Sequence, residues 1–272
     1  MTDGIIGLGG SLLIAGAAYW KRSLSASGFA AAVVLGTLMY VLGSLAWFGT
    51  LIAFFITSSA LSKWKRGRKE AAESGYAKSG RRDAGQVLAN GGLGLLLCIG
   101  NALAPHPLWW AAYIGVMATV TADTWATEVG GLSPAAPRSI VTGQRVEPGT
   151  SGGVTVLGLA ATAAGGLFIG MVIWGLSALS AEFRPAGMSF TVLVLLGLAG
   201  GVAGSLADSW LGAVCQVMYR CPVCGKEIEK NRHCGAAAVR NRGVAWMTND
   251  AVNLISSAAG GAVSLLLALA FA

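Results

Sequence analysis

Apolar residues run along this chain in long stretches that are separated by short polar or Pro/Gly-marked breaks. A helix that crosses a membrane needs about 20 mostly apolar residues, and the pattern contains eight such stretches. They cover residues 5–20, 26–43, 45–61, 86–103, 109–127, 153–179, 189–218 and 250–271. Because two of them are short, two are long and the break at Ser44 is tight, counts of seven or nine stay open. The pattern predicts an all-α polytopic membrane protein with about eight transmembrane helices.

Composition agrees with this pattern. Hydrophobic residues make up 54% of the chain and charged residues 11%, whereas a soluble domain carries about 25% charged residues. The 40 glycines lie among Leu, Ala and Val without a G-X-Y period, which indicates close-packed membrane helices and excludes a collagen-like chain. The first stretch lacks a basic n-region and a cleavage pattern, so we expect it to be retained as an anchor. We expect residues 1–272 to form a single transmembrane helical domain.

Basic residues predict the orientation in the membrane. With eight spans, segments 21–25, 62–85, 128–152 and 219–249 lie on one side, and they hold all of the 19 lysines and arginines except Arg184. Positively charged loops stay in the cytoplasm, so we expect the long loops inside and both termini outside a bacterial-type cytoplasmic membrane. The basic loop 62–85 is either a topogenic signal or a site for anionic lipid or nucleotide. No nucleic acid partner is expected, and the oligomeric state stays open.

Four aspartates lie within or at the ends of predicted spans: Asp83, Asp123, Asp208 and Asp250. A carboxylate at membrane depth is costly, so it is a functional hypothesis by default. Asp83 and Asp250 open two spans, where the helix dipole favours an anion and capping is an alternative role. Asp123 and Asp208 lie in the last turns of two spans, in the similar motifs Ala-Asp-Thr-Trp and Ala-Asp-Ser-Trp. There the dipole opposes a negative charge, so a cation or a proton partner is expected.

All four carboxylates are expected at one depth on the cytoplasmic side. Carboxylate oxygens without thiolate or imidazole neighbours suit Mg²⁺ that is shared with substrate phosphates. Glu128 is a further ligand candidate. The alternative role for these acids is hydrogen bonding between helices.

Positive charge and hydrogen-bond donors are expected around the acids, as polyphosphate recognition requires. Lys63, Arg82 and Arg138 are the candidate phosphate-neutralising groups. The run Pro-Gly-Thr-Ser-Gly-Gly at 148–153 opens the sixth predicted span and is suited to present backbone N–H groups to an anion, although a helix cap explains it equally well. The candidate substrate- or phosphate-binding residues are Ser59, Ser62, Gln86, Asn90, Arg138, Thr150, Ser151, Gly152, Asn249 and Asn253.

Common catalytic signatures are missing from the sequence. It contains no G-x-x-x-x-G-K-[ST] loop, no G-x-S-x-G elbow and no H-E-x-x-H motif. His106 and His233 both lie away from the acids in the predicted topology. A reaction whose nucleophile is already ionised, such as attack by a phosphate monoester, needs no such base.

The predicted loop 219–249 contains Cys221-Pro-Val-Cys224-Gly-Lys, followed by His233-Cys234-Gly. This C-x₂-C spacing with a later His-Cys pair resembles half of a zinc ribbon. Structural zinc, free cytoplasmic thiols and a disulfide all stay open as interpretations. Cys98 and Cys215 fall in predicted spans and are expected to be small apolar packing residues.

Several sequence phrases occur in one order along most of the chain beyond the second span. They are FFITSSALSK (54–63), GRRDAGQVLANGG (80–92), ADTWATEVG (122–130), PRSIVTGQRVEPGTSGGVT (137–155), GSLADSWLGA (204–213), the CPVCG and HCG of the cysteine loop, and NDAVN (249–253). Together they resemble the family of transmembrane protein 19 and the plant phytyl-phosphate kinase. The resemblance implies a prenyl- or phytyl-monophosphate kinase that forms the diphosphate from a nucleoside triphosphate.

The leading hypothesis is therefore a Mg²⁺-dependent isoprenoid monophosphate kinase, with CTP or ATP as co-substrate and the active site on the cytoplasmic side. Its acceptor is a phytyl, farnesyl, geranylgeranyl or longer phosphate that enters from the bilayer. An ion-coupled transporter or lipid-phosphate flippase is the alternative, because buried carboxylates are common in transporters. A CTP-dependent cytidylyltransferase differs only in which phosphorus is attacked. The predicted catalytic residues are Asp83, Asp123, Asp208, Asp250, Lys63 and Arg82.

Overall fold

The computed structural model describes residues 2–65, 67–68, 75–76, 80–179 and 188–271. Eight long α-helices occur within these residues. They are α1 (Thr2–Trp20), α2 (Ala26–Leu42), α3 (Leu45–Lys63), α4 (Ala84–Leu103), α5 (Pro107–Gly130), α6 (Val156–Ala178), α7 (Phe190–Val214) and α8 (Asn249–Ala270). The predicted all-α polytopic architecture is confirmed. Part of the basic loop 62–85, and Arg184, lie outside the described residues.

Six of these helices, α1, α3, α4, α6, α7 and α8, are long and apolar enough to cross a membrane. The apolar helix α2 has 17 residues, slightly fewer than a span of average length needs. Helix α5 has 24 residues, but its second half carries polar side chains that include Asp123 and Glu128. Both helices pack among the six others, so the bundle contains the eight segments that the sequence predicts.

Helix α5 is the centre of the bundle. It packs closely against α6, α7 and α8, and it also contacts α3 and α4. Its middle is completely buried at Tyr113, Ile114 and Met117. Glycines permit the close crossings: a Cβ on Gly200 of α7 would lie 2.7 Å from Cα of Gly115 on α5. Small residues at helix crossings are typical of membrane bundles.

Helices α1 and α2 form a hairpin at the edge of the bundle, where α2 contacts α4 and, less extensively, α3. The turn between them is tied to the start of α4 by a parallel bridge between Leu24 and Arg82. Ser25 N–H donates to the Arg82 carbonyl at 3.0 Å, and Arg82 N–H donates to Ser23 O at 3.0 Å. These bonds hold the backbone of Arg82 against the turn between α1 and α2.

Short strands occupy two of the connections at one end of the bundle. Between α5 and α6, β1 (Arg138–Ser139) pairs antiparallel with β2 (Gly153–Val154). Between α7 and α8 lies an antiparallel sheet of order β4-β3-β7, formed by β4 (Glu227–Ile228), β3 (Met218–Arg220) and β7 (Val239–Arg242). The nearby β5 (Arg232–His233) pairs with β6 (Ala236–Ala237).

Two predicted span boundaries are wrong because the chain forms these strands where helix was expected. The span predicted to end at residue 218 stops at Val214; Cys215 caps it, and Val217 N–H donates to Met247 O instead of continuing the helix. Cys215 thus lies at the helix end rather than within a span. The span predicted to start at residue 153 begins at Val156, since residues 153–154 form β2 and Thr155 is the N-cap.

Candidate functional site

A polar cavity of about 690 Å³ lies at one end of the bundle. Its walls come from the C-terminal parts of α3, α5 and α7, the N-terminal parts of α4, α6 and α8, and the turn between α1 and α2. These ends meet because successive helices alternate in direction. The volume falls within the range typical of small-molecule sites, which is about 300–1,000 Å³.

Most of the residues predicted for the site line this cavity. They are Ser59, Ser62, Lys63, Arg82, Gln86, Asn90, Asp123, Glu128, Thr150, Ser151, Gly152, Asp208, Asn249 and Asn253. The two similar motifs at 122–125 and 207–210 thus bring their aspartates to one space, because α5 and α7 pack side by side. The aspartates of this pair lie within electrostatic reach of each other. Each lies about 10 Å from the end of its helix, given a rise of 1.5 Å per residue.

Asp208 is oriented by neighbours on α8. Ser256 Oγ donates to Asp208 Oδ2 at 2.8 Å. With its amide nitrogen facing the same oxygen, Asn253 donates to Asp208 Oδ2 at 3.1 Å and to Asn249 O at 3.3 Å. Partners that hold a carboxylate in one orientation are typical of residues that bind a metal ion.

Arg82 belongs to a basic wall of the cavity. Its guanidinium donates to Ser59 Oγ at 2.8 Å and lies 5.7 Å from the centre of the Phe55 ring. Glu128 is nearby and accepts a short hydrogen bond from Ser62 Oγ. Burial lowers the pKa of Arg82 from its usual value, and the charge of Glu128 opposes that shift. An arginine stays protonated despite such a shift.

Further basic residues on this wall come from the α1–α2 turn, which the sequence did not single out. Lys21 and Arg22 line the cavity together with Lys63, whose Nζ donates to Lys21 O at 2.9 Å. Arg22 adopts a left-handed backbone with φ of 57°, a strained conformation for a residue with a side chain. The signal was present in the sequence, because segment 21–25 was placed on the same side as the predicted site.

The glycine-rich run at 148–153 lines the cavity as a loop, not as the first turn of a helix. Gly152 has φ of +81°, and a Cβ on it would lie 2.8 Å from Ser209 O on α7. Only glycine fits such a backbone so close to another helix. Ser151 Oγ donates to Gln216 Oε1 at 3.0 Å, which joins this loop to the end of α7.

Three of the residues predicted to bind Mg²⁺ or phosphate lie outside the lining of the cavity. Asp83 is the N-cap of α4: its side chain accepts from Gln86 N–H at 3.0 Å, and Gln86 Oε1 accepts from Asp83 N–H at 3.3 Å. Asp250 lies in the first turn of α8. Arg138 is exposed in β1 and donates to Gly143 O at 2.9 Å. Their predicted roles in binding metal or phosphate stay predictions.

Two other lining residues were also missed in the sequence. Glu229 follows β4 and lies within electrostatic reach of Asp208. Gln216 is buried just beyond α7 and lies beside Ser151. Both positions depend on how the connection between α7 and α8 folds back, which hydrophobic patterning does not encode.

A narrow apolar slot of about 50 Å³ adjoins the polar cavity. It lies between α1, α2, α3 and α4 and is lined by apolar side chains such as Ala32, Leu35 and Phe55. Along α3 it extends from Phe55 to Phe48, which is about 10 Å at 1.5 Å per residue. Arg82, Gln86 and Asn90 line both spaces. The slot and the cavity therefore meet at these three polar side chains.

The cysteine loop brings four side chains together away from the cavity. The ligand atoms of Cys221, Cys224, His233 and Cys234 all lie within 4.8 Å of one another. His233 Nδ1 is 3.4 Å from Cys224 Sγ and 3.2 Å from Cys234 Sγ. All of the cysteines are free thiols. Hydrogen bonding from the backbone N–H of Cys224 lowers the pKa of the Cys221 thiol to about 6.

Packed apolar helices, six of them long enough to cross a membrane, define a polytopic integral membrane protein with a polar cavity at one end. Residues 9–261 of the chain match the family described as integral membrane protein DUF92. The chain belongs to this family.

Relatives with curated names span nearly the whole chain. Protein PGR of Arabidopsis thaliana is 34% identical over 265 residues, 90% of this chain and 89% of that protein. An uncharacterized membrane protein of Methanocaldococcus jannaschii is 29% identical over 249 residues, 91% of this chain and 87% of that protein. Protein VTE6, chloroplastic, of Arabidopsis thaliana is 27% identical over 266 residues, 96% of this chain and 68% of that protein. These matches confirm the family resemblance drawn from the sequence phrases. No solved structure shows a significant match.

Proposed function

We propose that this protein is an isoprenoid monophosphate kinase that uses Mg²⁺ and a nucleoside triphosphate. The observation that carries the proposal is the junction at Arg82, Gln86 and Asn90, where an apolar slot meets a polar cavity. A molecule with an anionic head and a hydrocarbon tail fits such a junction. Its head would lie among the charged residues of the cavity, and its tail would enter the slot and continue into the bilayer.

The pair Asp123 and Asp208 would hold Mg²⁺. Carboxylate oxygens are the donors that this ion prefers, and the partners of Asp208 on α8 hold its side chain in one orientation. When bound, the ion would supply positive charge that neutralises phosphate oxygens. Asp83 and Asp250 would support the site from the starts of α4 and α8. Glu229 lies within electrostatic reach of Asp208, and Glu128 lies within electrostatic reach of Arg82.

The basic wall would bind the phosphate groups. Arg82 is a planar, permanently charged donor, suited to a lipid phosphate at the mouth of the slot. Lys63, Lys21 and Arg22 add charge where a triphosphate would lie. The glycine-rich loop at 148–153 contributes backbone groups on the side of α7.

In the proposed reaction an oxygen of the lipid phosphate attacks the γ-phosphorus of the triphosphate. A new P–O bond forms, and the bond from the γ-phosphorus to the β,γ-bridging oxygen breaks. The nucleoside diphosphate leaves with that electron pair. The attacking oxygen is already ionised near neutral pH, so no side chain has to remove a proton. Positioning and charge neutralisation account for most of the catalysis in phosphoryl transfer.

The family resemblance supports an isoprenoid phosphate as the acceptor. The phrases that carry this resemblance include the segments that contribute Arg82, Asp123 and Asp208 to the cavity. Purified protein should be incubated with farnesyl, geranylgeranyl and phytyl phosphates, Mg²⁺ and each nucleoside triphosphate. The proposal predicts an isoprenoid diphosphate and a nucleoside diphosphate in equal amounts.

The product pattern separates the proposal from its alternatives. A cytidylyltransferase would release pyrophosphate and form a CDP-lipid. A transporter or flippase would move substrate in proteoliposomes without consuming triphosphate. Folded protein that forms no diphosphate with any acceptor and donor of this panel would refute the kinase.

A further inference from the structure

We propose that Cys221, Cys224, His233 and Cys234 bind one structural Zn²⁺ ion. In a tetrahedral zinc site, Zn–S bonds of about 2.3 Å and Zn–N bonds of about 2.0–2.1 Å place neighbouring ligand atoms roughly 3.5–3.8 Å apart. Here the four ligand atoms all lie within 4.8 Å of one another, and the two sulfur–nitrogen separations at His233 are 3.2 and 3.4 Å. A single ion would reach all four with small side-chain rotations.

The backbone around the cluster already has the shape that such a site needs. Gly225 N–H donates to Cys221 O at 2.9 Å, and Cys221 N–H donates to Lys226 O at 3.0 Å, so the first pair of ligands lies on a tight turn. Gly225 has φ of 72°. Adjacent residues rarely point to one centre, but Cys234 has φ of 50°, and this left-handed backbone turns its side chain back toward that of His233.

The apolar side chains buried in this segment, residues 218–242, are Met218, Cys221 and Ile228. Its strands are two to four residues long, and Cys224, Cys234 and Val223 are exposed. A small unit with so few buried apolar side chains usually needs a metal ion or disulfides. The thiols are free, so a metal ion remains as the stabilising group, and a Cys₃His set selects zinc.

The same segment reaches both the bundle and the cavity. Arg242 donates to Ala213 O at 2.6 Å at the end of α7 and pairs with Glu227 on β4 at 3.1 Å. Two residues further along from Glu227, Glu229 lines the cavity. A zinc ion at the tip would keep β3 and β4 in place, so its role is to stabilise one wall of the cavity. This inference does not depend on the reaction proposed above.

Metal analysis of the purified full-length protein tests this inference. Wild-type protein should retain about one zinc ion per chain after desalting, and C221S and C224S should lose most of it, because each removes one of the four ligands. The matched control is C215S, which removes a thiol outside the cluster and should retain the metal. Replacement by Co²⁺ should give the visible absorption of tetrahedral cobalt–thiolate coordination in wild type and C215S.

A second measurement uses wild type alone, so that misfolding of a variant does not decide the result. Adding a zinc chelator should increase amide hydrogen exchange across residues 218–242 and leave α5–α8 protected. Wild-type protein without zinc, even after Zn²⁺ is added, would overturn the proposal. Equal zinc content in C221S, C224S and wild type would overturn it too, as would exchange that the chelator does not change.

Discussion

The orientation of the Asp208 side chain depends on individual hydrogen bonds. Two adjacent serines on α8 allow a matched test of one of these bonds. Ser256 Oγ donates to Asp208 Oδ2 at 2.8 Å, whereas Ser257 Oγ donates to Leu254 O within its own helix. Losing an outer partner of a metal ligand typically costs 10–100-fold in affinity or activity. We expect Ser256→Ala to raise the Mg²⁺ concentration for half-maximal turnover about 10-fold.

Ser257→Ala is the control, since both serines are fully buried on one helix and lose the same atom. It should leave the Mg²⁺ dependence unchanged. Equal Mg²⁺ dependence in the two variants would show that Ser256 does not orient a metal ligand.

Asp83 offers a second test at this scale, because its capping geometry and its predicted role as a metal ligand respond differently to substitution. Asn caps a helix about as well as Asp, whereas Ala costs about 1 kcal/mol of stability. If capping is the main role, Asp83→Asn should retain turnover and Asp83→Ala should lower the melting temperature. Turnover and thermal unfolding of both variants measure this. A large loss of turnover in Asp83→Asn with unchanged stability would make Asp83 a metal ligand.

At the scale of elements, α2 provides one wall of the slot, and two of its alanines face different surroundings. Ala32 lines the slot, whereas Ala30 is exposed on the outside of the bundle. Ala32→Phe should raise KM for geranylgeranyl phosphate about 10-fold, because overfilling a packed space costs roughly 1–3 kcal/mol. Ala30→Phe should leave KM near the wild-type value. Steady-state kinetics measure KM for both variants, and their melting temperatures confirm that they fold. Equal KM values in the two variants would show that the lipid tail does not bind in the slot.

The helices could be predicted from the sequence because their apolar stretches are long and their polar breaks are clear. The ends were harder to predict, since local hydrogen bonds decide them. Cys215 is apolar enough to extend α7, yet Val217 pairs with Met247 and starts the path into β3.

The aspartate pair could be predicted because a charge at membrane depth is rare and its two motifs are alike. Glu229 could not be singled out, because its position depends on how the connection between α7 and α8 folds over the end of the bundle. Asp83 has the residue type of a ligand but the geometry of a cap. Sequence alone does not separate these two roles.

At the scale of the whole molecule, the basic connections and the cavity lie at one end of the bundle. The positive-inside rule predicts that this end faces the cytoplasm. A reporter that works only outside the cytoplasmic membrane should be active when it is fused to either terminus. A reporter that works only in the cytoplasm should be active when it is inserted after Lys226. Opposite activities would put the cavity on the outer side, away from cellular nucleoside triphosphates.

The most direct measurement follows a labelled γ-phosphate from nucleoside triphosphate to an isoprenoid monophosphate, with and without Mg²⁺. Wild-type protein should form the labelled diphosphate only with Mg²⁺. Asp123→Asn and Asp208→Asn should each lose at least about 100-fold in rate. Without Mg²⁺ their melting temperatures should equal or slightly exceed that of wild type, because each removes one of two neighbouring carboxylates that repel each other when ionised. Asp3→Asn, exposed in the first turn of α1, is the control and should match wild type. Near-wild-type transfer in both variants would contradict the account.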